Sequence, residues 1–149
     1  MKNVILILLL IVFAQNSHAA TASLKYSTGF LLEKVLEKKR LVKRADIPEP
    51  KIYFSSKTPL KQFQDAIEKQ WGFRPVSITN AFAVNNNEIY IMDDADYYSK
   101  LGRCMDDSLV HEYVHYLQVK YLNWDLNDDS LEWDAIDIQT EFRSAYCPI

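Results

Sequence analysis

The segment His111-Glu112-Tyr113-Val114-His115 constrains this chain more than any other part of it. On a helix, residues four apart project from one face, a turn above each other. His111 and His115 can therefore offer two imidazoles to one ion. Glu112, next in sequence to the first histidine, can reach a water held on that ion. Zinc lowers the pKa of such a water toward neutrality, and a carboxylate beside it can take its proton. The His-Glu-x-x-His spacing thus contains two ligands and a general base, and it predicts a site for one Zn2+. The competing reading is a metal-free helix whose two histidines are merely packed.

Two histidines leave a catalytic zinc site one protein ligand short. The remaining histidine, His18, falls in a leader segment described below, so a carboxylate must serve. Glu132, Asp134, Asp137 and Glu141 follow on one helical stretch. Glu132 is the first choice, because it precedes Ala135 on a turn that can pack closely against the histidine helix. Asp134 is the next candidate, and Glu141 stays open. Asp137 is suited to hydrogen-bond a ligating imidazole, a support such ligands usually need.

Lys2, an apolar run over residues 4–14 and the small residues Ser17 and Ala19 have the form of a secretory signal cleaved after Ala19. That run is too short for a membrane span, which needs about 20 residues, and no other segment is apolar enough. The expectation is an exported protein with no span after cleavage. Loss of Lys2 turns the formal charge of −3 into −4, which gives nucleic acid no reason to bind. Cys104 and Cys147 form an even pair, and in an oxidising compartment a disulfide between them is expected. Cys104 precedes the histidine helix and Cys147 follows the carboxylate helix, so the bridge would tie the two ligand-bearing segments together.

Along the chain, residues 24–44 read as an amphipathic helix with Leu24, Leu31, Leu32, Val35, Leu36 and Val42 as its apolar positions. Its basic end, Lys38 to Arg44, reads as a solvated face. Pro48 and Pro50 mark a linker. Residues 51–55 read as a strand, and 58–71 as a helix opened by Pro59 and closed by Gly72. Residues 76–84 and 88–92 read as a hairpin around Asn85-Asn86-Asn87. Helices are expected from about Asp106 to Tyr121 and over residues 130–145. The sum is α+β, with a small, mainly antiparallel sheet and the histidine helix packed on flanking helices.

These motifs resemble the gluzincin metallopeptidases, whose zinc is held by two histidines and a glutamate. Beyond the histidine motif, Glu132-Trp133-Asp134-Ala135 is similar to that clan's Glu-x-x-Ala/Ser third-ligand turn. Asn80-Ala81-Phe82-Ala83 is similar to the Asn-Ala edge strand with which those enzymes hold substrate backbone. The chain also looks like short secreted metallopeptidase-like proteins with a Leu-Val-His-Glu-x-x-His-x-x-Gln pattern, matched here from Leu109 to Gln118. Two departures stand out. The Glu-x-x-Ala turn lies nearer the second histidine than in thermolysin-like enzymes, and Ile136 stands where their supporting aspartate follows.

The resemblance implies a minimal zincin-like domain over residues 51–149, preceded by a leader at 1–19 and an N-terminal helix and linker at 20–50. It implies zinc on His111, His115 and Glu132, Glu112 as the catalytic base, and Asn80 and Ala81 as contacts to a peptide or protein substrate. The alternative is a catalytically inactive, zinc-stabilised binding or inhibitory module.

Overall fold

The computed structural model describes residues 20–147, so the leader read at 1–19 lies outside the described residues. Among the described residues the fold is α+β, with five α-helices and a three-stranded sheet. Its organising element is α4 (Met105–Lys120), which is buried over almost its whole length. Its polar residues Asp106, Asp107, Glu112, His115 and Gln118 are buried along with its apolar ones, and the residues between the motif positions supply the apolar packing. Tyr113, Val114, Tyr116 and Leu117 are core residues, each at most 1% exposed. The histidine motif is therefore held by packing on both sides of the ligands.

α1 (Thr28–Lys39) packs Leu31, Leu32, Val35 and Leu36 into the same core as Leu109 and Val110 of α4. Ser27 caps it by accepting the Phe30 N–H at 3.2 Å. The helix is shorter than the 24–44 expected from its pattern. Arg40 turns left-handed at φ 54°, and the N–H groups of Arg40 and Leu41 bond back to Glu37 and Leu36. This is a helix-ending motif that satisfies the last carbonyls. Val42, read as apolar helix face, is consequently 83% exposed. Ahead of α1, the buried Asp106 carboxylate accepts the Lys25 and Tyr26 N–H groups and fastens the N-terminal segment to the start of α4.

The sheet comprises β1 (Lys51–Phe54), β2 (Ala81–Ala83) and β3 (Glu88–Ile91), in the order β1-β3-β2. It is mixed rather than mainly antiparallel. β2 and β3 form the expected hairpin, with Asn87 at φ 53°, while β1 runs parallel to β3 from Lys51↔Glu88 to Phe54↔Ile91. After β1 the chain crosses one face through α2 (Leu60–Trp71) and returns on β2 at the far edge, leaving β3 between the other two. Gly72 ends α2 in the left-handed region at φ 76°, where a residue without Cβ carries no steric penalty.

Alternate sheet residues serve two helices. Ala81, Ala83 and Tyr90 meet Phe63, Ala66 and Ile67 of α2, whereas Phe82, Ile89 and Ile91 belong to the core around α4. With both faces covered, the strands carry little polar alternation. The stretch at 76–80 does not extend β2, and Val76 is 93% exposed. Two further helices complete the fold. α3 (Ala95–Leu101) is capped by the Asp94 side chain, and α5 (Ser130–Tyr146) packs along α4. No described helix is long and apolar enough to cross a membrane.

Candidate metal centre

α4 and α5 run antiparallel and are fastened where α4 begins and α5 finishes. The disulfide joins Cys104, the residue before α4, to Cys147, the residue after α5, with their Cα atoms 5.9 Å apart. Beside it, the fully buried Asp107 accepts from Arg103 at 2.6 Å, Arg143 at 2.8 Å and the Gln139 amide at 2.9 Å. A buried carboxylate is tolerable only with such compensation. Ala135, fully buried, lets α5 approach α4 closely along the rest of the contact.

That packing brings Glu132, in the first turn of α5, to the imidazoles of α4. His111 Nε2 and His115 Nε2 are 3.0 Å apart. Glu132 Oε1 lies 3.1 Å from His115 Nε2, and its Oε2 lies 3.4 Å from His111 Nε2. A tetrahedral ion with bonds of about 2.05 Å needs donors separated by about 3.3 Å. The three spacings meet that requirement, and two imidazoles with one carboxylate form a donor set suited to zinc. Burial, followed by the neighbouring His115, pulls the His111 pKa down to about 4, against the opposing pull of Glu132. The ring is thus neutral at pH 7, as a ligand must be.

Of the four downstream carboxylates, Glu132 alone meets the imidazoles. Asp134 accepts from Lys39 Nζ at 2.6 Å and from Gln118 Nε2 at 2.8 Å. Glu141 pairs with Lys38. Asp137 is exposed and makes no hydrogen bond to an imidazole. The support expected of it comes from Gln118, whose Oε1 is 2.8 Å from His115 Nδ1. Sequence reasoning assigned Gln118 no role. Its place three residues after His115, on the same helical face, was the available signal.

The site opens on a cavity of about 340 Å³ lined by Glu112, Asn80, Phe82, Trp71 and Leu126 together with the three donors. The Glu132 side chain is 59% exposed there, so the donor set is open to the cavity. Glu112 is buried, and desolvation, with the Glu132 charge second, pushes its pKa up to about 8, while a hydrogen bond from the Phe82 backbone opposes the rise. That value belongs to the metal-free site; a cation on the three donors would pull it down and favour the carboxylate form that a general base must take.

β2 is an edge strand, and Ala81 lies in it. Asn80, just before it, spends its side-chain oxygen on the Met92 N–H at 2.7 Å, which pins the end of β3. Gln70 was not singled out from sequence. Its Nε2 donates to Phe82 O at 3.0 Å, and its Oε1 accepts the Val84 N–H at 3.1 Å. One side-chain amide thereby occupies two backbone groups of the β2 edge.

Among known proteins, the chain matches no family model, no curated protein and no solved structure.

Proposed function

We propose that this chain is an exported zinc-dependent peptidase-like protein of gluzincin type, with His111, His115 and Glu132 as the metal ligands. The observation that carries the reading is the convergence of those three donors at 3.0–3.4 Å on the wall of an open cavity that also holds Glu112. Zinc, when bound there, supplies Lewis acidity that polarises a scissile carbonyl and makes a water more acidic. Glu112 accepts a proton from the attacking water on a carboxylate oxygen as the C–O bond forms. It returns that proton to the amine nitrogen as the C–N bond breaks. Asp134, engaged by Lys39 and Gln118, is unavailable as a fourth ligand, which supports an open site over a closed structural one. The substrate class is peptide bonds, in free peptides or in the cell-envelope layer, and Asn80 and Ala81 at the strand edge would meet the peptide backbone. The disulfide is compatible with export.

The test is Glu112→Gln assayed on a mixed peptide library, with zinc content measured on the same samples. Wild type should hydrolyse peptides. The variant should keep about one zinc per chain and lose at least ~100-fold in rate, the order expected for removing a general base. Undiminished turnover in the variant overturns the mechanism.

One observation favours a second reading, a zinc-stabilised binding or inhibitory module. Gln70 takes Phe82 O and Val84 N–H, groups through which an extended peptide would pair with β2. Absence of any peptide turnover by wild type at full zinc occupancy would select that reading.

A further inference from the structure

We infer that Gln118 is a positioning residue that holds the His115 ring in the tautomer whose Nε2 faces the metal with a free electron pair; this rests on the zinc reading above. The argument begins at a backbone carbonyl, which can only accept a hydrogen bond. Leu131 O at the start of α5 lies 3.0 Å from the Gln118 amide nitrogen, and Asp134 Oδ2 lies 2.8 Å from the same nitrogen. A flipped amide would point its oxygen at two acceptors, so only one orientation satisfies both. Gln118 Oε1 then faces His115 Nδ1 at 2.8 Å. That oxygen has no proton to give, so Nδ1 must carry one. In the neutral ring a proton on Nδ1 leaves Nε2 unprotonated, and Nε2 is the atom beside His111 and Glu132.

The chain of contacts extends to the N-terminal helix. Lys39 of α1 donates to the same Asp134 oxygen at 2.6 Å, and its ammonium lies 4.9 Å from the centre of the Trp124 ring. An ammonium is donor only, so Asp134 accepts from both sides and the polarity runs one way throughout. Gln118 itself is fully buried, where a misdirected amide is most costly. His111 Nδ1 is buried with no hydrogen bond of good geometry among the described residues, and Gln139 is the neighbouring amide that acts on this ring.

The test is the ring tautomer of His115, read by long-range 1H–15N correlation in the full chain freed of zinc with a chelator, alongside zinc affinity by chelator competition. In wild type, His115 should appear protonated at Nδ1. Gln118→Met keeps the length of the side chain and removes the acceptor. It should shift the ring toward the Nε2-protonated form and weaken zinc about 10- to 100-fold, as losing the support of a ligating imidazole does. A neutral His115 ring protonated at Nε2 and not at Nδ1 in wild type overturns the inference without any variant. So does a Met variant with the wild-type tautomer and affinity. Failure of wild type to bind zinc would instead remove the metal reading, and the tautomer measurement separates the two outcomes.

Discussion

Replacing both Cys104 and Cys147 by serine should cost about 4 kcal/mol of stability at 25 °C. The bridge spans 43 residues. For a loop of that length the chain-entropy relation gives a denatured-state constraint of about 13 cal/mol/K, and hence about 4 kcal/mol. With about 2.1 cal/mol/K of unfolding entropy per residue, a protein of this size should lose about 12–16 °C in Tm. Urea titration is the assay, and the m-value must be compared, because freeing a long loop expands the unfolded chain. The same variant should bind zinc within about threefold of wild type while folded, since Ala135 and the Arg103–Asp107–Arg143 cluster still hold α5 on α4. A loss below about 1 kcal/mol would refute the loop-entropy reasoning. Collapse of zinc affinity in the folded variant would show that the bridge, rather than the packing, positions Glu132.

Two pH effects follow from buried carboxylates. Asp93 accepts from Ser55 Oγ, Ser56 Oγ and the Ser56 N–H; these bonds outweigh burial and hold its pKa below the usual 3.8. Its stabilisation is present above that value and lost as pH falls through the lower folded value, so Asp93→Asn should flatten acid unfolding below about pH 4 in a circular-dichroism titration. Glu112 has the opposite sign. Its folded pKa is raised from 4.5 to about 8, so its stabilisation is complete below pH 4.5 and is lost as pH rises toward 8. Zinc-free Glu112→Gln should therefore lack that decline and be the more stable protein at pH 8, by roughly 1–3 kcal/mol in urea.

The parts legible in the sequence were those set by local chemistry. The helix-start residues from Asp106 and the motif gave α4, Pro59 and Gly72 bracketed α2, and three asparagines marked the turn where Asn87 takes positive φ. The choice of Glu132 among four carboxylates rested on a small residue, Ala135, being able to bring two helices together, and that carboxylate is the one beside the imidazoles. What escaped depended on distant partners. A four-residue strand does not encode the direction of its neighbour, so the parallel β1–β3 pairing was invisible. α3 is only seven residues long and begins in an acidic stretch that reads as loop until Asp94 is seen capping it. The basic end of α1 read as a solvated face, yet Lys38 and Lys39 reach Glu141 and Asp134 on α5. Gln118 escaped for a related reason. Its role depends on a carbonyl at Leu131 that only the tertiary fold brings to its amide.

The central claim is that His111, His115 and Glu132 hold one zinc ion. Metal analysis of the protein purified without chelator tests it most directly, with His115→Ala run in parallel. The account predicts about one zinc per wild-type chain and near-complete loss in the variant. Less than about half an equivalent in correctly folded wild type, or undiminished zinc in His115→Ala, would contradict it.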